Sequence, residues 1–311
     1  MQFQKMQVES ECDGLLLDVA LMIPETAPKG IVQIVHGMSE HKERYYDFMQ
    51  FLTENDYAVI IHDHRGHGRS VKSRDDLGYM YDDSGEFITE DVHQISRLAK
   101  EYFSNLPYLP FILFGHSMGS LIVRKYIKKY DKEIDRLIVC GSPGNNRHVN
   151  FGLWLIRRGI AKYGDHYRSS FINSLAGGKN NKKFADGTSE KLWLSSSRSS
   201  VQLYDDDPLC GFIFTLNGFQ NLLLLLKSVY DKRGWRLASP ELPILFIAGS
   251  DDPIILNEKS WQKSVQFMRK IGYSRVDCKL YRGMRHELLN ETDNRQVYRD
   301  VLDWINTGHI E

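Results

Sequence analysis

The chain has 311 residues, 42% of them apolar and 26% charged, which excludes a disordered or fibrous protein and allows one large α/β domain or two. Forty basic and forty acidic side chains cancel, so no global charge drives it toward nucleic acid or an anionic membrane. The cysteines Cys12, Cys140, Cys210 and Cys278 lack both zinc-site spacing and the density of a disulfide-stapled fold, and read as reduced thiols.

At the N-terminus, residues 3–9 and 15–22 alternate in polarity and are predicted to form an antiparallel edge. Lys5, Glu9, Glu11 and Asp13 stand where a signal peptide is apolar, so a cytoplasmic protein is expected. Residues 31–35 and 57–61 are short β-branched runs, the first ending at His36-Gly37 and the second at Asp63 and a glycine-rich turn. Both read as buried strands, and helices are predicted over 44–55 and 90–103. A strand at 110–114, a helix at 118–130 and a strand at 136–140 follow. On that helix Arg124, Lys125, Lys128 and Lys129 are expected to form a solvated face.

The alternation stops at about residue 145, where Trp154, Trp193 and Trp235 sit among helical stretches. Residues 218–230 hold five leucines in thirteen positions and predict an apolar helix, either buried in its own subdomain or forming a lid over an apolar site. The rhythm resumes with strand 243–248, helix 257–271, strand 276–281 and helix 292–305. This is an α/β pattern with a mostly parallel central sheet flanked by helices. It divides the chain into a core at 1–144, a helical cap or lid insertion at 145–238 and the rest of the core at 239–311. The longest apolar run, 222–226, is far short of the roughly 20 residues that span a bilayer, so membrane contact is at most peripheral.

Gly115-His116-Ser117-Met118-Gly119 is the pattern that carries chemistry. Chance supplies a Gly-x-Ser-x-Gly in about a tenth of chains this long, so its position must decide. It lies between strand 110–114 and a helix whose apolar residues Met118, Leu121, Ile122, Tyr126 and Tyr130 recur at helical spacing. Glycines on both sides allow a tight turn that exposes the serine hydroxyl at the carboxyl end of the sheet. The alternative is an ordinary turn with Ser117 as a helix N-cap.

A serine nucleophile needs a base, and the base needs a carboxylate to hold its tautomer. Asp251 and Asp252 follow strand 243–248; each is a candidate acid, and each is equally able to cap the next helix. His286 follows the last strand and is the candidate base, because His309 lies two residues from the end of the chain. A second oxyanion donor is expected in the loop His36-Gly37-Met38-Ser39-Glu40-His41, so that the backbone amides of Met38 and Met118 converge on one oxygen. His62-Asp63-His64-Arg65-Gly66-His67 has the residue types of a metal cluster. Arg65 repels a cation and Gly66 stands where an acid ligand belongs, so a structural turn beside the site is expected, with no metal and no cofactor.

On these residues the chain resembles the lysophospholipase and monoacylglycerol lipase group of α/β-hydrolases, in its bacterial form. The resemblance is carried in order by His36 to His41 with Arg44-Tyr45, by Asp63 to Ser70, by Gly115 to Ser120, and by Gly249 to Pro253 with His286. Asp207-Pro208-Leu209-Cys210-Gly211-Phe212 also looks like a cap motif of bacterial members. The resemblance implies an α/β-hydrolase fold with an inserted helical cap, Asp252 as the acid beside Ser117 and His286, and Met38 and Met118 as oxyanion amides. It further implies a serine hydrolase of monoacylglycerols, lysophospholipids or similar single-chain esters, with a small-molecule ester or lipid as partner and no nucleic acid. An aminopeptidase or amide hydrolase on the same scaffold is the rival, with Asp205, Asp206 or Asp207 holding a substrate ammonium. A non-catalytic binding protein is a third reading, and the presence of all three triad candidates argues against it.

Overall fold

The computed structural model describes residues 1–177 and 180–310. Strands β1 (Gln2–Glu9), β2 (Leu16–Ile23), β3 (Gly30–Val35), β4 (Tyr57–His62), β5 (Phe111–His116), β6 (Arg136–Cys140), β7 (Ile244–Gly249) and β8 (Val276–Tyr281) form a single sheet. Its order is β1-β2-β4-β3-β5-β6-β7-β8. The pairs β1/β2 and β2/β4 are antiparallel, and all the others are parallel. Strands β3, β4, β5 and β7 are buried along their whole length, as the continuous apolar runs require of parallel strands covered on both faces.

Helices α1 (Tyr46–Glu54) and α9 (Asn294–Thr307) cover one face of the sheet, where Val32, Ile34, Ile112 and Phe114 meet Phe48, Leu52, Tyr298 and Trp304. Helices α2 (Phe87–Tyr102), α3 (Met118–Tyr130) and α8 (Glu258–Ile271) cover the other, against Ile31, Phe111, Leu113 and Phe246. Between β6 and β7 the chain forms α4 (Val149–Tyr163), α5 (Ser170–Gly177), α6 (Arg198–Asp206) and α7 (Leu216–Tyr230). The apolar side chains Phe219, Leu225 and Val229 of α7 join the main core.

Two sequence expectations are corrected. Helix α2 starts at Phe87, three residues before the predicted 90, because the Asp82 carboxylate accepts from the amides of Glu86 (2.9 Å) and Phe87 (3.1 Å). That capping aspartate lies upstream of the apolar periodicity, which therefore misses the first turn. The basic residues of α3 are not a solvated face: Arg124 is fully buried, and Lys125 and Lys128 are also buried. The Arg124 guanidinium lies 4.5 Å from the centre of the Tyr230 ring. Lys125 donates to the Gly85 carbonyl and pairs with Glu86 at 2.7 Å, while Lys128 donates to the Ser228 carbonyl at 2.8 Å. Packing of α2 and α7 over α3 turns these cations toward carbonyls and carboxylates instead of water.

The sheet order sets where a site can form. β3 has β4 on one side and β5 on the other, so the chain leaves β3 and β5 in opposite directions across the sheet. The crevice at the carboxyl ends of two such strands is where open α/β sheets bind ligands.

Candidate active site

Ser117 caps β5 and precedes α3 with φ 52° and ψ −115°, a strained conformation for a residue with a side chain. The flanking glycines make the turn possible. A Cβ on Gly119 would lie 2.0 Å from the Val35 carbonyl oxygen, and one on Gly115 would lie 2.5 Å from the Gly119 oxygen. The turn is thus wedged against β3, and it lifts the Ser117 hydroxyl out of the sheet.

His286 Nε2 is 2.8 Å from Ser117 Oγ, and His286 Nδ1 is 2.9 Å from Asp252 Oδ2. Asp252 Oδ1 accepts from the Ile254 amide at 2.8 Å, which orients the carboxylate. Both residues are buried, at 3% exposure. Asp251 instead pairs with Lys183 at 3.0 Å. Of the two candidate acids, Asp252 is the one that faces the imidazole.

The loop after β3 lies against Ser117: a Cβ on Gly37 would stand 3.2 Å from Ser117 Cβ. Met38 follows in that loop, and Met118 is the first residue of α3, where a helix amide has no intrahelical acceptor. The His36 ring shapes the loop, with Nδ1 2.8 Å from the Gly37 carbonyl while Nε2 accepts from the His64 amide at 3.0 Å. Burial, reinforced by His64 and His67, pushes His36 well below the ordinary histidine range. The ring is therefore neutral, with its proton on Nδ1. Burial likewise lowers His62 and His67 to about 4. In the same segment Asp63 accepts from Lys42 Nζ (2.8 Å) and the Arg69 amide (2.9 Å), and Arg65 is buried against Asp91 at 2.7 Å. The 62–67 segment is a buried strand-end turn that braces the loop after β3.

A buried network of charged side chains, to which the sequence assigned no role, ties these loops together. The Glu40 carboxylate accepts from the Gly37 amide (2.6 Å) and the Tyr45 hydroxyl (2.8 Å), and lies 3.2 Å from His116 Nδ1. Arg44 bridges Glu40 at 3.0 Å and makes a two-pronged bond to Glu287 at 2.5 and 2.7 Å. His116 Nε2 is 3.2 Å from the His286 carbonyl. Burial pushes the Glu40 carboxyl up, but His116, Arg44 and Tyr45 outweigh it and hold the group at about 2. The same contact raises His116 above its ordinary value, against the effect of burial. Each of these residues adjoins a recognised motif, which was the available signal.

Residues from the 145–238 segment close over the site. The Trp193 ring centre is 5.1 Å from that of His286, and the Glu287 amide donates to the Leu194 carbonyl at 2.7 Å. The Tyr204 hydroxyl and the Gly211 amide each bond the Ser39 carbonyl at 2.9 Å. The segment therefore grips both the loop after β3 and the loop that carries His286.

A strand-borne serine elbow, a histidine and a carboxylate at the carboxyl edge of an eight-stranded, mostly parallel sheet define an α/β-hydrolase. Residues 26–293 match the model of the serine aminopeptidase S33 family, and the chain belongs to that family. It is 30% identical to the monoacylglycerol lipase of Mycolicibacterium smegmatis over 94% of this chain and 93% of that protein. It is 33% identical to the monoglyceride lipase of Mus musculus over 94% of this chain and 88% of that one. Among solved structures, a thermostable carboxyl esterase from Bacillus coagulans superposes with a TM-score of 0.89, at 25% identity and 98% coverage of both chains.

Proposed function

We propose that the protein hydrolyses carboxylic esters of single-chain lipids, of the monoacylglycerol or lysophospholipid type, through an acyl-enzyme on Ser117. The observation that carries this reading is the unbroken relay from Asp252 through His286 to Ser117 at 2.9 and 2.8 Å. His286 Nε2 takes the Ser117 proton as Oγ attacks the ester carbonyl, and then delivers it to the departing alcohol oxygen. A water gives its proton to the same nitrogen, attacks the acyl-enzyme and releases the acid. Asp252 stays ionised, keeps the Nδ1 proton in place and stabilises the imidazolium. The Met38 and Met118 amides receive the developing oxyanion, each contributing about 3 kcal/mol. This sequence of steps uses no metal or cofactor.

Residues 145–238 act as a cap between the two parts of the core, 1–144 and 239–311, with Trp193 over the base. The similarity to monoacylglycerol lipases supports a lipid ester as substrate. Two of the three cap carboxylates that an aminopeptidase would aim at a substrate ammonium have other partners: Asp207 holds His41 and the Leu209 amide, and Asp206 holds Gln202. No helix among the described residues is long and apolar enough to cross a membrane. The four cysteines are unpaired, which supports a reducing compartment such as the cytoplasm.

The test is turnover of p-nitrophenyl esters of graded chain length, monoacylglycerols and lysophospholipids against proline p-nitroanilide. Ester turnover that disappears in Ser117→Ala, together with fluorophosphonate labelling of the wild type alone, is expected. Ser117→Ala protein hydrolysing esters at the wild-type rate, or faster cleavage of the anilide than of any ester, overturns the reading.

A further inference from the structure

Behind the oxyanion loop, three side chains with metal-binding chemistry meet outside the reacting atoms. A ring nitrogen of His41, an Asp207 carboxylate oxygen and Cys210 Sγ all lie within 4.8 Å of one another. They come from two distant segments. His41 is buried at 4% exposure and points its Nε2 at Asp207 Oδ2, 2.7 Å away. The other Asp207 oxygen, Oδ1, accepts from the Leu209 amide at 2.8 Å, which turns Oδ2 toward the imidazole. The Cys210 amide donates to the Asp207 carbonyl at 3.0 Å, closing a tight turn that brings the thiol and the carboxylate to the same histidine.

We propose that His41, Asp207 and Cys210 form a binding site for a zinc-class divalent cation, with water as the fourth ligand. The donor set decides the class: imidazole and sulfur suit zinc and cobalt, whereas magnesium and calcium take oxygen ligands. Three protein ligands with one open position is a common tetrahedral arrangement for zinc. Bonds of about 2.0 Å to nitrogen and oxygen and 2.3 Å to sulfur put neighbouring ligand atoms about 3.3–3.6 Å apart. Closing on the ion requires His41 and Asp207 to separate by about half an ångström, and any ligand pair at the 4.8 Å limit to approach by about 1.3 Å. The Asp207 side chain is 28% exposed and has room to do so.

The charge balance also permits a cation. Arg44 is the nearby positive group, and both Glu40 and Glu287 neutralise it. Asp207 adds a third carboxylate, whose pKa is lowered by the His41 hydrogen bond and by Arg44 against the effect of burial. Burial raises the Cys210 thiol, so without metal the sulfur keeps its proton. Binding therefore replaces the S–H bond with a sulfur–metal bond and releases that proton to solvent, while the Nε2 proton that His41 donates to Asp207 moves to Nδ1 and frees the Nε2 lone pair for the ion. The ion would staple the oxyanion loop to the cap at the point where Tyr204 and Gly211 already bond Ser39. This goes beyond ester hydrolysis and stands or falls independently of it.

The experiment titrates Co²⁺ and Zn²⁺ into the full-length, chelator-treated, reduced protein. One equivalent is expected to bind, with a thiolate-to-cobalt charge-transfer band, release of a proton and a raised Tm. Cys210→Ala abolishes that band, and Cys210→Ala and His41→Gln each weaken binding at least tenfold, while Cys12→Ala behaves as wild type. Circular dichroism of the metal-free variants establishes that they are folded, and Cys210→Ser replaces any that is not. Wild-type protein that takes up no stoichiometric Co²⁺ or Zn²⁺ overturns the proposal. So does binding that is unchanged in Cys210→Ala and His41→Gln.

Discussion

Replacing Asp252 by asparagine preserves the shape of the side chain and removes one charge, so its effect on rate can be separated from its effect on folding. In the native site Oδ1 accepts from the Ile254 amide at 2.8 Å and Oδ2 lies 2.9 Å from His286 Nδ1. An asparagine must turn its oxygen toward the Ile254 donor, which leaves its NH₂ facing Nδ1. Nδ1 then has to accept, and the ring proton moves to Nε2, where it confronts Ser117 Oγ at 2.8 Å. The base is blocked at the atom that should take the proton. A wrong-tautomer change of this kind lowers kcat by about 10⁴-fold, equivalent to roughly 5.5 kcal/mol of transition-state stabilisation. The assay is steady-state hydrolysis of a p-nitrophenyl ester, with thermal unfolding as the control for folding. Asp251→Asn is the matched comparison, since its exposed pair with Lys183 contributes about 0–1 kcal/mol to stability and nothing to the relay. An Asp252→Asn enzyme within tenfold of wild type, or an equal loss in Asp251→Asn, would refute the assignment.

Gly119→Ala is expected to cost more than about 3 kcal/mol and to eliminate ester turnover, because the new methyl would meet the Val35 oxygen at 2.0 Å; a stable, active variant contradicts the wedged turn. Lys125→Ala is expected to destabilise by about 1–3 kcal/mol in urea unfolding, since it leaves the buried Gly85 carbonyl without its donor, whereas a solvated lysine would change stability by less than about 0.5 kcal/mol. Glu40 has a folded-state pKa of about 2, below its ordinary 4.5, so its stabilisation is complete above pH 4.5 and is lost as pH falls toward 2. Glu40→Gln should therefore lower stability at neutral pH and flatten the acid limb of the unfolding midpoint; an acid limb identical to wild type would contradict the buried carboxylate.

Much of the architecture was legible because it is encoded locally. Helix α3 spans the predicted 118–130, strand β6 the predicted 136–140 and strand β8 the predicted 276–281, and the other strands shift by one or two residues at one end or both. Side-chain alternation, helical periodicity and glycine-rich turns act within a few residues, so strand-end turns and the Ser117 elbow can be read along the chain. Choosing between Asp251 and Asp252 depended on how the turn after β7 is oriented, since adjacent aspartates carry the same chemistry but face Lys183 and His286 respectively. The cations of α3 looked solvated because their own helix places them together, and only the packing of α2 and α7 buries them.

The strand and helix order, the turn at Ser117 and the candidate residues around it are encoded along the chain. Tertiary structure alone decided which charges are buried and which distant groups meet. Arg44 reaches Glu287 across 243 positions, and His41 meets Asp207 across 166. Neither pairing leaves a periodic trace, because it arises from how the sheet edge, the 145–238 segment and the loop after β3 pack together. Local backbone preferences act over a few residues, whereas desolvation and charge pairing act through space.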